Sequence, residues 1–195
     1  DLVAGFGDVT AELVLHGMHK KMNSTPAGRE LLKHKPLITE DSLSIHKLRE
    51  LPKGTFGREY MNFMDDHGYS PDERTIVRFM TNKELAYTMA RYRQVHDFWH
   101  VLSGLPPTVL GEVALKCFEF RVTGLPVCGV GGLLGQVKLT TSELSTFHGV
   151  YLPWALRAGG SCDDLLSFPY EQHLTSSVDD VRQKLNFEPA PRISS

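Results

Sequence analysis

Two histidines one helical turn apart, His96 and His100, constrain the fold of this chain more than any other feature. Each residue of an α-helix advances by about 100°, so His96, His100 and Asp97 lie near 0°, about 40° and about 100° on one side of such a helix. Two imidazoles one turn apart with a carboxylate beside them suit a divalent metal ion. We therefore expect the rest of the chain to hold and enclose these three side chains.

The helix that carries the two histidines is predicted over residues 82–103. Apolar residues continue the stripe that the histidines occupy, at spacings of three or four: Leu85, Met89 and Tyr92. The Gly-Leu-Pro-Pro sequence of residues 104–107 ends this helix, and Pro107 is predicted to be the first residue of the next helix, which runs to about residue 122. A short loop between two helices favours antiparallel neighbours, so the sequence predicts a helical hairpin.

The hairpin brings a further acid, Glu112, back to the histidines. At a rise of about 1.5 Å per residue, His100 lies roughly 4–5 Å and His96 roughly 10 Å from the end of the first helix, while Glu112 lies roughly 7–8 Å into the second. Glu112 is therefore level with the gap between the two imidazoles.

The predicted metal ligands are His96, Asp97, His100 and Glu112. The two carboxylates together would neutralise a divalent cation, and mixed nitrogen and oxygen ligation suits zinc, manganese or iron better than copper or calcium. Zinc is the preferred ion. Paired histidines can also be satisfied core residues or solvated surface residues, but four metal-competent residues on two facing surfaces favour a metal site.

Two other functions of similar sequences are not supported. A metalloprotease of the H-E-x-x-H type needs a glutamate general base where this chain has Asp97. A phosphohydrolase with paired His and Asp ligands needs further ligands on other helices, and no such set is evident. The glycine-rich residues 124–135 follow a predicted helix rather than a strand, so closely packed helices or a flexible loop are favoured over a dinucleotide site.

Two arginines are candidates for binding an anionic substrate. Arg74 and Arg78 lie one turn apart if their segment is helical, and together they could clamp a carboxylate or a phosphate. Solvated surface arginines are the alternative. The three cysteines form no C-x-x-C pair, so neither a disulfide framework nor a thiolate zinc site is expected.

The remaining helical patterns, with no convincing strand, predict an all-α fold. The 195 residues are enough for one compact multi-helix domain. Helices are predicted over residues 8–22, from a Thr25 cap and Pro26, from about residue 41 to before Pro52, over residues 55–66 and 142–157 (with Trp154 and Leu156 toward the core), and in two pieces that begin at residues 163 and 178. The tail, residues 188–195, is expected to be loose.

Charge and hydropathy exclude two further classes. A net charge of −2 gives no general basic field, so no nucleic-acid partner is expected. The longest uncharged run, residues 122–137, is too short for a transmembrane helix of about 20 residues. Because the chain begins at Asp1, it is expected to be a fragment or a processed form from which a targeting segment has been removed.

The H-D-x-x-H-x11-E arrangement of His96, Asp97, His100 and Glu112 resembles that of the ubiquinone (coenzyme Q) biosynthesis protein four family, as found in its mitochondrial members. Supporting stretches are residues 60–64, 69–74, 77–79 and 96–105, and the resemblance covers nearly the whole chain. The family's four metal residues carry over to these four positions, all of which are intact.

The resemblance implies an all-helical, peripheral protein on the matrix side of the mitochondrial inner membrane, within a multi-protein coenzyme Q synthesis complex. It also implies a lyase that acts on a 4-hydroxy-3-methoxy-5-polyprenylbenzoate. The reaction is loss of the carboxyl group at C1, with coupled hydroxylation left open.

Within that function, His96, Glu112 and Asp97 are the predicted catalytic residues. His96, His100 and Glu112 would leave coordination positions open, and Asp97 is either a fourth ligand or a proton-transfer group. The polyprenyl tail needs an apolar groove, which the two hairpin helices could form, and residues 122–137 would line it or touch the bilayer. An apolar helical face would also suit a homodimer. The alternative function is a non-catalytic lipid-binding scaffold with a structural metal.

Overall fold

A computed structural model describes residues 11–74, 77 and 80–193 of the chain. Their regular structure is helical, and no strand occurs in this part of the chain, so the all-α prediction is confirmed. The α-helices are numbered α1 (Glu12–Ser24), α2 (Pro26–His34), α3 (Glu40–Leu43), α4 (Ile45–Arg49), α5 (Phe56–His67), α6 (Lys83–Ser103), α7 (Val109–Thr123), α8 (Pro126–Leu134), α9 (Thr141–Thr146), α10 (Leu152–Ser161) and α11 (Val178–Lys184). Short 3-10 segments occupy Pro71–Arg74, Gly135–Lys138 and Tyr170–Gln172, and a π-helical turn, Phe147–Tyr151, joins α9 to α10.

Helix α6 is the central element of the core. The Asn82 side chain caps it by accepting from two backbone N–H groups, at 2.9 and 3.3 Å, and Gly104 ends it with φ = 75°. Its last three turns are largely buried, and Phe98, Trp99 and Leu102 are fully enclosed. The predicted helix over residues 82–103 is therefore confirmed, with Asn82 as its cap.

A buried cation anchors the C-terminal part of the chain to α6. The Arg91 side chain is fully buried, and its guanidinium donates to the carboxylate of Glu171 and, at 2.8 Å, to the carbonyl oxygen of Phe168. A charge removed from water in this way requires close partners. Residues 168–171 are thereby held against the helix that carries the histidines.

Helix α7 begins at Val109 rather than at Pro107, so the predicted start is wrong by two residues. The reason is the Thr108 side chain, which caps the helix by accepting from the backbone N–H of Gly111 at 3.2 Å. A Cβ at residue 111 would lie 2.0 Å from the carbonyl oxygen of Pro106. Glycine at this position therefore allows the loop to fold back closely on the first turn of α7.

Helix α8 (Pro126–Leu134) occupies most of the glycine-rich residues 124–135, so this segment is not a flexible loop. A Cβ at Gly132 would lie 2.8 Å from the Cys117 sulfur, and a Cβ at Gly129 would lie 3.1 Å from the Phe120 ring. The glycines therefore let α8 approach α7 closely, which confirms the closely packed helices that were one of the two expectations.

The N-terminal helices follow their predicted caps. Thr25 accepts from the N–H of Gly28 at 3.0 Å and Pro26 is the first residue of α2, as expected. Residues 8–10 of the first predicted helix lie outside the described residues. The third predicted helix is divided into α3 and α4, because Ser44 adopts a left-handed conformation with φ = 50°.

Two predictions in the C-terminal third are wrong. Residues 163–166 form a loop that ends in a turn rather than a helix, since the Asp164 carboxylate accepts from Ser167 and from the backbone of Leu166. Leu156 is 51% exposed, whereas Trp154 is buried as predicted and stacks on Phe118 with ring centroids 5.4 Å apart.

The C-terminal tail is held in place as far as Ala190, which corrects the expectation that residues 188–195 are loose. The Trp154 indole N–H donates to the carbonyl oxygen of Glu188 at 3.0 Å, and the N–H of Ala190 donates to the carbonyl oxygen of Ser103 at 2.9 Å. A buried indole N–H requires an acceptor, and the tail supplies it.

Candidate metal centre

Helix α6 presents the two predicted imidazoles side by side. The rings of His96 and His100 are nearly perpendicular, with centroids 4.9 Å apart, and both side chains are buried. Glu112, on the first turn of α7, faces both of them. One Glu112 carboxylate oxygen lies 3.0 Å from His100 Nε2 and the other lies 3.8 Å from His96 Nε2.

These distances suit a shared metal ion. The three ligand atoms of His96, His100 and Glu112 all lie within 4.8 Å of one another. A metal with bonds of about 2.0–2.2 Å holds its ligands roughly 3–3.5 Å apart. The hairpin therefore assembles three of the four predicted ligands at close to the required spacing.

Hydrogen bonds at the Nδ1 atoms orient both imidazoles for binding. His100 Nδ1 lies 2.9 Å from the carbonyl oxygen of Leu105, which can only accept, so Nδ1 carries the proton. His96 Nδ1 is bonded to the buried carboxylate of Glu119, which requires the same tautomer. Both Nε2 atoms then face Glu112, and without a proton they would be free to bind a metal, as in metal-binding histidines whose other nitrogen is held by an outer acceptor.

Electrostatics keep the two carboxylates of the centre ionised. Burial raises the pKa of Glu112, but its hydrogen bonds to His100 and His96 outweigh this and hold the pKa well below its usual range. Burial likewise opposes ionisation of Glu119, and Lys116 and His96 hold the pKa of that carboxyl far below normal. A cation at Glu112 would therefore not have to displace a proton from it.

Asp97 lies outside the three-residue group. Its side chain is buried, with one oxygen accepting from Arg74 Nη2 at 3.2 Å and the other without a hydrogen-bond partner among the described residues. Arg74 belongs to the 3-10 segment Pro71–Arg74, and its side chain is 39% exposed. The role of Asp97 as a fourth ligand stays a prediction, and Arg78 lies outside the described residues.

Sequence reasoning missed the residues behind His96. Glu119 is fully buried on α7, and Lys116 and Tyr92 both contact it. A signal was present, because Lys116 lies four residues and Glu119 seven residues after Glu112, so the three share one side of the helix.

A row of aromatic rings, Phe63, His67 and Tyr69, leads from the centre to the surface. The Phe63 ring is nearly parallel to that of His100, with centroids 5.1 Å apart, and His67 and Tyr69 stack on each other at 5.7 Å. Tyr69 is partly exposed. This aromatic row places the Phe63 ring against the face of His100.

The acidic side chains around the centre differ in whether a lysine or arginine balances their charge. Asp97 is paired with Arg74, and Glu119 is paired with Lys116 at 2.7 Å. Glu112 differs from both, because its described ion pairs are with His96 and His100 and include no lysine or arginine. A divalent ion held by two neutral imidazoles and Glu112 would keep a net positive charge, so the donor set fits both the metal and an anionic ligand.

The fold and the site together define an all-helical protein with a candidate divalent-metal centre inside a helical hairpin. The family model described as coenzyme Q (ubiquinone) biosynthesis protein Coq4 matches residues 1–191. The chain belongs to this family, which confirms the resemblance drawn from the H-D-x-x-H-x11-E sequence, and its role is in ubiquinone biosynthesis.

Relatives extend along almost the whole chain. A Nematostella vectensis protein named "Ubiquinone biosynthesis protein COQ4 homolog, mitochondrial" is 40% identical over 196 residues, covering 99% of this chain and 94% of the relative. A Danio rerio protein of the same name is 41% identical over 191 residues, covering 98% and 70%. A Clavispora lusitaniae relative, "Ubiquinone biosynthesis protein COQ4, mitochondrial", is 40% identical, and the chain spans 60% of its length.

A solved structure supports the fold. The crystal structure of a Nostoc punctiforme PCC 73102 protein superposes with a TM-score of 0.71 at 20% identity, covering 94% of this chain and 86% of that one. At this level of identity the similarity shows the helical architecture alone.

No helix within the described residues has both the length and the apolar character to cross a membrane.

Proposed function

We propose that the chain is a metal-dependent lyase that removes the C1 carboxyl group of a 4-hydroxy-3-methoxy-5-polyprenylbenzoate in ubiquinone biosynthesis. The observation that carries the proposal is the three-residue centre of His96, His100 and Glu112. Structural zinc sites are closed by four protein ligands, whereas catalytic sites have three and keep a position open. Zinc is the preferred ion, and the same donor set also suits non-haem iron.

The charge balance supports a carboxylate substrate. Two of the three acids around the centre, Asp97 and Glu119, are already paired with cations. A bound divalent ion would keep positive charge, and it would supply a Lewis acid that orients the anionic head group. Arg74, whose guanidinium is partly exposed beside Asp97, is proposed to contact the same anionic group.

The substrate itself makes the bond cleavage possible. Its phenolic oxygen lies para to C1, so ionisation of the phenol increases electron density at that carbon. When C1 takes up a proton, the ring becomes a dienone, and cleavage of the C1–carboxyl bond returns the electron pair to the ring as carbon dioxide leaves. In the oxidative course, dioxygen is the two-electron oxidant. C1 receives a hydroxyl group from water, the C1–carboxyl bond breaks as carbon dioxide leaves, and dioxygen is reduced to hydrogen peroxide.

Asp97 is proposed to hold and deliver the proton to C1. It is buried beside the centre, and one of its oxygens has no hydrogen-bond partner among the described residues. Arg74 fixes the other oxygen at 3.2 Å, so the free oxygen has a defined direction. The aromatic row is proposed to pack against the face of the substrate ring.

Turnover by purified protein tests this function. With Zn²⁺ or Fe²⁺ restored, the wild-type protein is expected to release carbon dioxide from the prenylated hydroxymethoxybenzoate, and product mass distinguishes hydrogen from hydroxyl at C1. His96→Ala and Glu112→Gln are expected to reduce turnover to background because each removes a ligand. Glu188→Gln, which loses only an exposed contact with Arg157, is the matched control.

If folded His96→Ala and Glu112→Gln proteins keep full turnover, the metal-dependent mechanism is wrong. If the metal-restored wild-type protein shows no turnover, a second candidate is favoured, a lipid-binding scaffold with a structural metal. Its supporting observation is an exposed apolar face formed by Phe120, Val130, Leu133, Leu134 and Val137. A scaffold predicts that metal removal lowers the melting temperature while partner enzymes in a reconstituted complex still make product.

The same apolar face is proposed to lie against the matrix side of the mitochondrial inner membrane, near the other proteins of a coenzyme Q complex. Leu133 and Val137 are 67% and 85% exposed, so their side chains are available for burial in lipid. A second copy of the chain could cover the face instead and form a homodimer.

Vesicle flotation measures the membrane contact. Burial of a leucine or valine contributes about 1.5–3 kcal/mol, so Leu133→Asp/Val137→Asp is expected to weaken binding to vesicles of phosphatidylcholine and an anionic phospholipid by at least about 10-fold. Leu37→Asp, at another exposed leucine between α2 and α3, is the control. Unchanged flotation together with a shift from dimer to monomer would assign the face to a homodimer.

A further inference from the structure

Both oxygens of one buried carboxylate behind the metal centre, that of Glu119, have defined partners. Glu119 Oε1 is bonded to Nδ1 of His96. Glu119 Oε2 accepts from the Tyr92 hydroxyl at 2.6 Å and from Lys116 Nζ at 2.7 Å, and the Cys128 thiol lies 3.5 Å away. The Glu119 side chain is fully buried, so these groups replace the water that the charge has lost.

The placement of Glu119 separates it from the reacting atoms. It contacts the Nδ1 side of His96, whereas Glu112 faces the Nε2 side. An imidazole that bridges two carboxylates in this way has its ring orientation fixed, and its Nε2 becomes a better electron donor. The neighbouring His100 is held by the backbone carbonyl of Leu105 instead, so the two histidines are positioned by acceptors of different charge.

Lys116 and Tyr92 determine how Glu119 acts. Both donate to Oε2, which leaves Oε1 for the histidine. The lysine also balances the carboxylate charge, so that the pair is neutral overall and adds little net charge to the centre. Tyr92 and Lys116 come from different helices, α6 and α7, so the cluster also locks the two arms of the hairpin together.

We propose that Glu119 is a positioning residue of the metal centre, held by Lys116 and Tyr92, which orients His96 and raises metal affinity. The inference rests on the proposed function, because it requires that His96 binds a metal. It assigns no contact with substrate to Glu119.

The test is the metal affinity of purified Glu119→Gln, measured with Zn²⁺ against a chromophoric chelator. Glutamine keeps the size of the side chain but loses the charge, and loss of an outer partner of a metal-binding histidine costs about 10- to 100-fold in affinity. The visible absorption bands of Co²⁺ in the same site are expected to shift, because the orientation of His96 changes. Tyr92→Phe, which removes one donor to Glu119, is expected to have a smaller effect in the same direction.

Two further variants keep the test decisive. Glu119→Gln alone leaves the partly buried Lys116 without its carboxylate partner, so Lys116→Met/Glu119→Gln, which removes both charges, is included to preserve folding. Its melting temperature without metal is expected to recover toward wild type while its Zn²⁺ affinity stays low. Glu188→Gln is the matched control and is expected to leave the affinity and the Co²⁺ spectrum unchanged.

Folded Glu119→Gln or double-variant protein with wild-type Zn²⁺ affinity and an unchanged Co²⁺ spectrum overturns the inference. Wild-type protein that binds neither ion overturns the proposed metal centre itself, so the two failures are distinguishable. A melting temperature that falls without any change in affinity assigns Glu119 to the packing of the hairpin alone.

Discussion

Replacing His100 with alanine is expected to abolish stoichiometric metal binding. Structural zinc sites with four ligands gain about 10–16 kcal/mol, so one ligand contributes roughly 3–4 kcal/mol, or roughly 100- to 1000-fold in affinity. His100 Nε2 lies 3.0 Å from Glu112 while Nδ1 is fixed by Leu105, so its removal leaves only His96 and Glu112 of the three-residue group. Elemental analysis after dialysis, beside a Zn²⁺ titration, measures the loss.

His67→Ala is the control for this substitution. His67 belongs to the aromatic row beside His100, but its Nδ1 is 2.7 Å from the carbonyl oxygen of Phe63 and it lies outside the three-residue ligand group. Its removal is expected to leave metal content unchanged. A His100→Ala protein that retains one tightly bound metal per chain would show that this residue is not a ligand.

Replacing Trp99 with alanine is expected to lower the free energy of unfolding by about 3–5 kcal/mol, the usual cost of deleting a large buried aromatic side chain. Trp99 is fully buried on α6 and packs edge-on against Phe118 of α7 with ring centroids 6.3 Å apart. Its indole N–H also donates to the Tyr170 hydroxyl at 3.0 Å. Chemical denaturation of the wild-type and variant proteins measures the difference.

Leu13→Ala provides the comparison for Trp99→Ala. Leu13 is 88% exposed on α1, so its truncation is expected to change the free energy of unfolding by no more than about 0.5 kcal/mol. Trp99→Phe, which keeps a ring but loses the indole N–H, is expected to lie between the two. A Trp99→Ala protein destabilised by less than about 1 kcal/mol would show that this packing contributes little.

The sequence predicts those elements whose ends have strong local signals. Asn82 and Gly104 bound α6 where expected, and Thr25 with Pro26 begins α2. The start of α7 was harder to predict because Pro107 and Thr108 are competing signals for it. Thr108 is the capping residue, so the first turn begins at the residue after it. Ser44 divides α3 from α4 through a backbone conformation that no periodicity reveals.

In the candidate site, too, the sequence predicts the positions set by one hairpin but not the contacts that depend on other parts of the chain. His96, His100 and Glu112 could be placed from one hairpin, because helix rise and a short loop determine their relative positions. Glu119 was missed because its partners lie on both arms, and a lone glutamate in a sequence is usually exposed. Arg74 pairs with Asp97 across 23 residues of sequence, and a helical wheel of α6 cannot show that contact.

Some contacts of α6 join residues that are near in the chain and others join residues that are far apart, and this difference affects how the protein folds. The contacts that form the metal centre join residues 12 and 23 positions apart, namely His100 with Glu112 and His96 with Glu119. The contacts that anchor the same helix to the C-terminal third, Arg91 with Glu171 and Arg182 with the carbonyl of Leu102, each span 80 positions. Because the entropy lost on loop closure grows with the length of the loop, the ligand set is the less costly assembly to close. The metal-binding group is therefore encoded in one short, contiguous piece of chain, and the distant residues serve to enclose it.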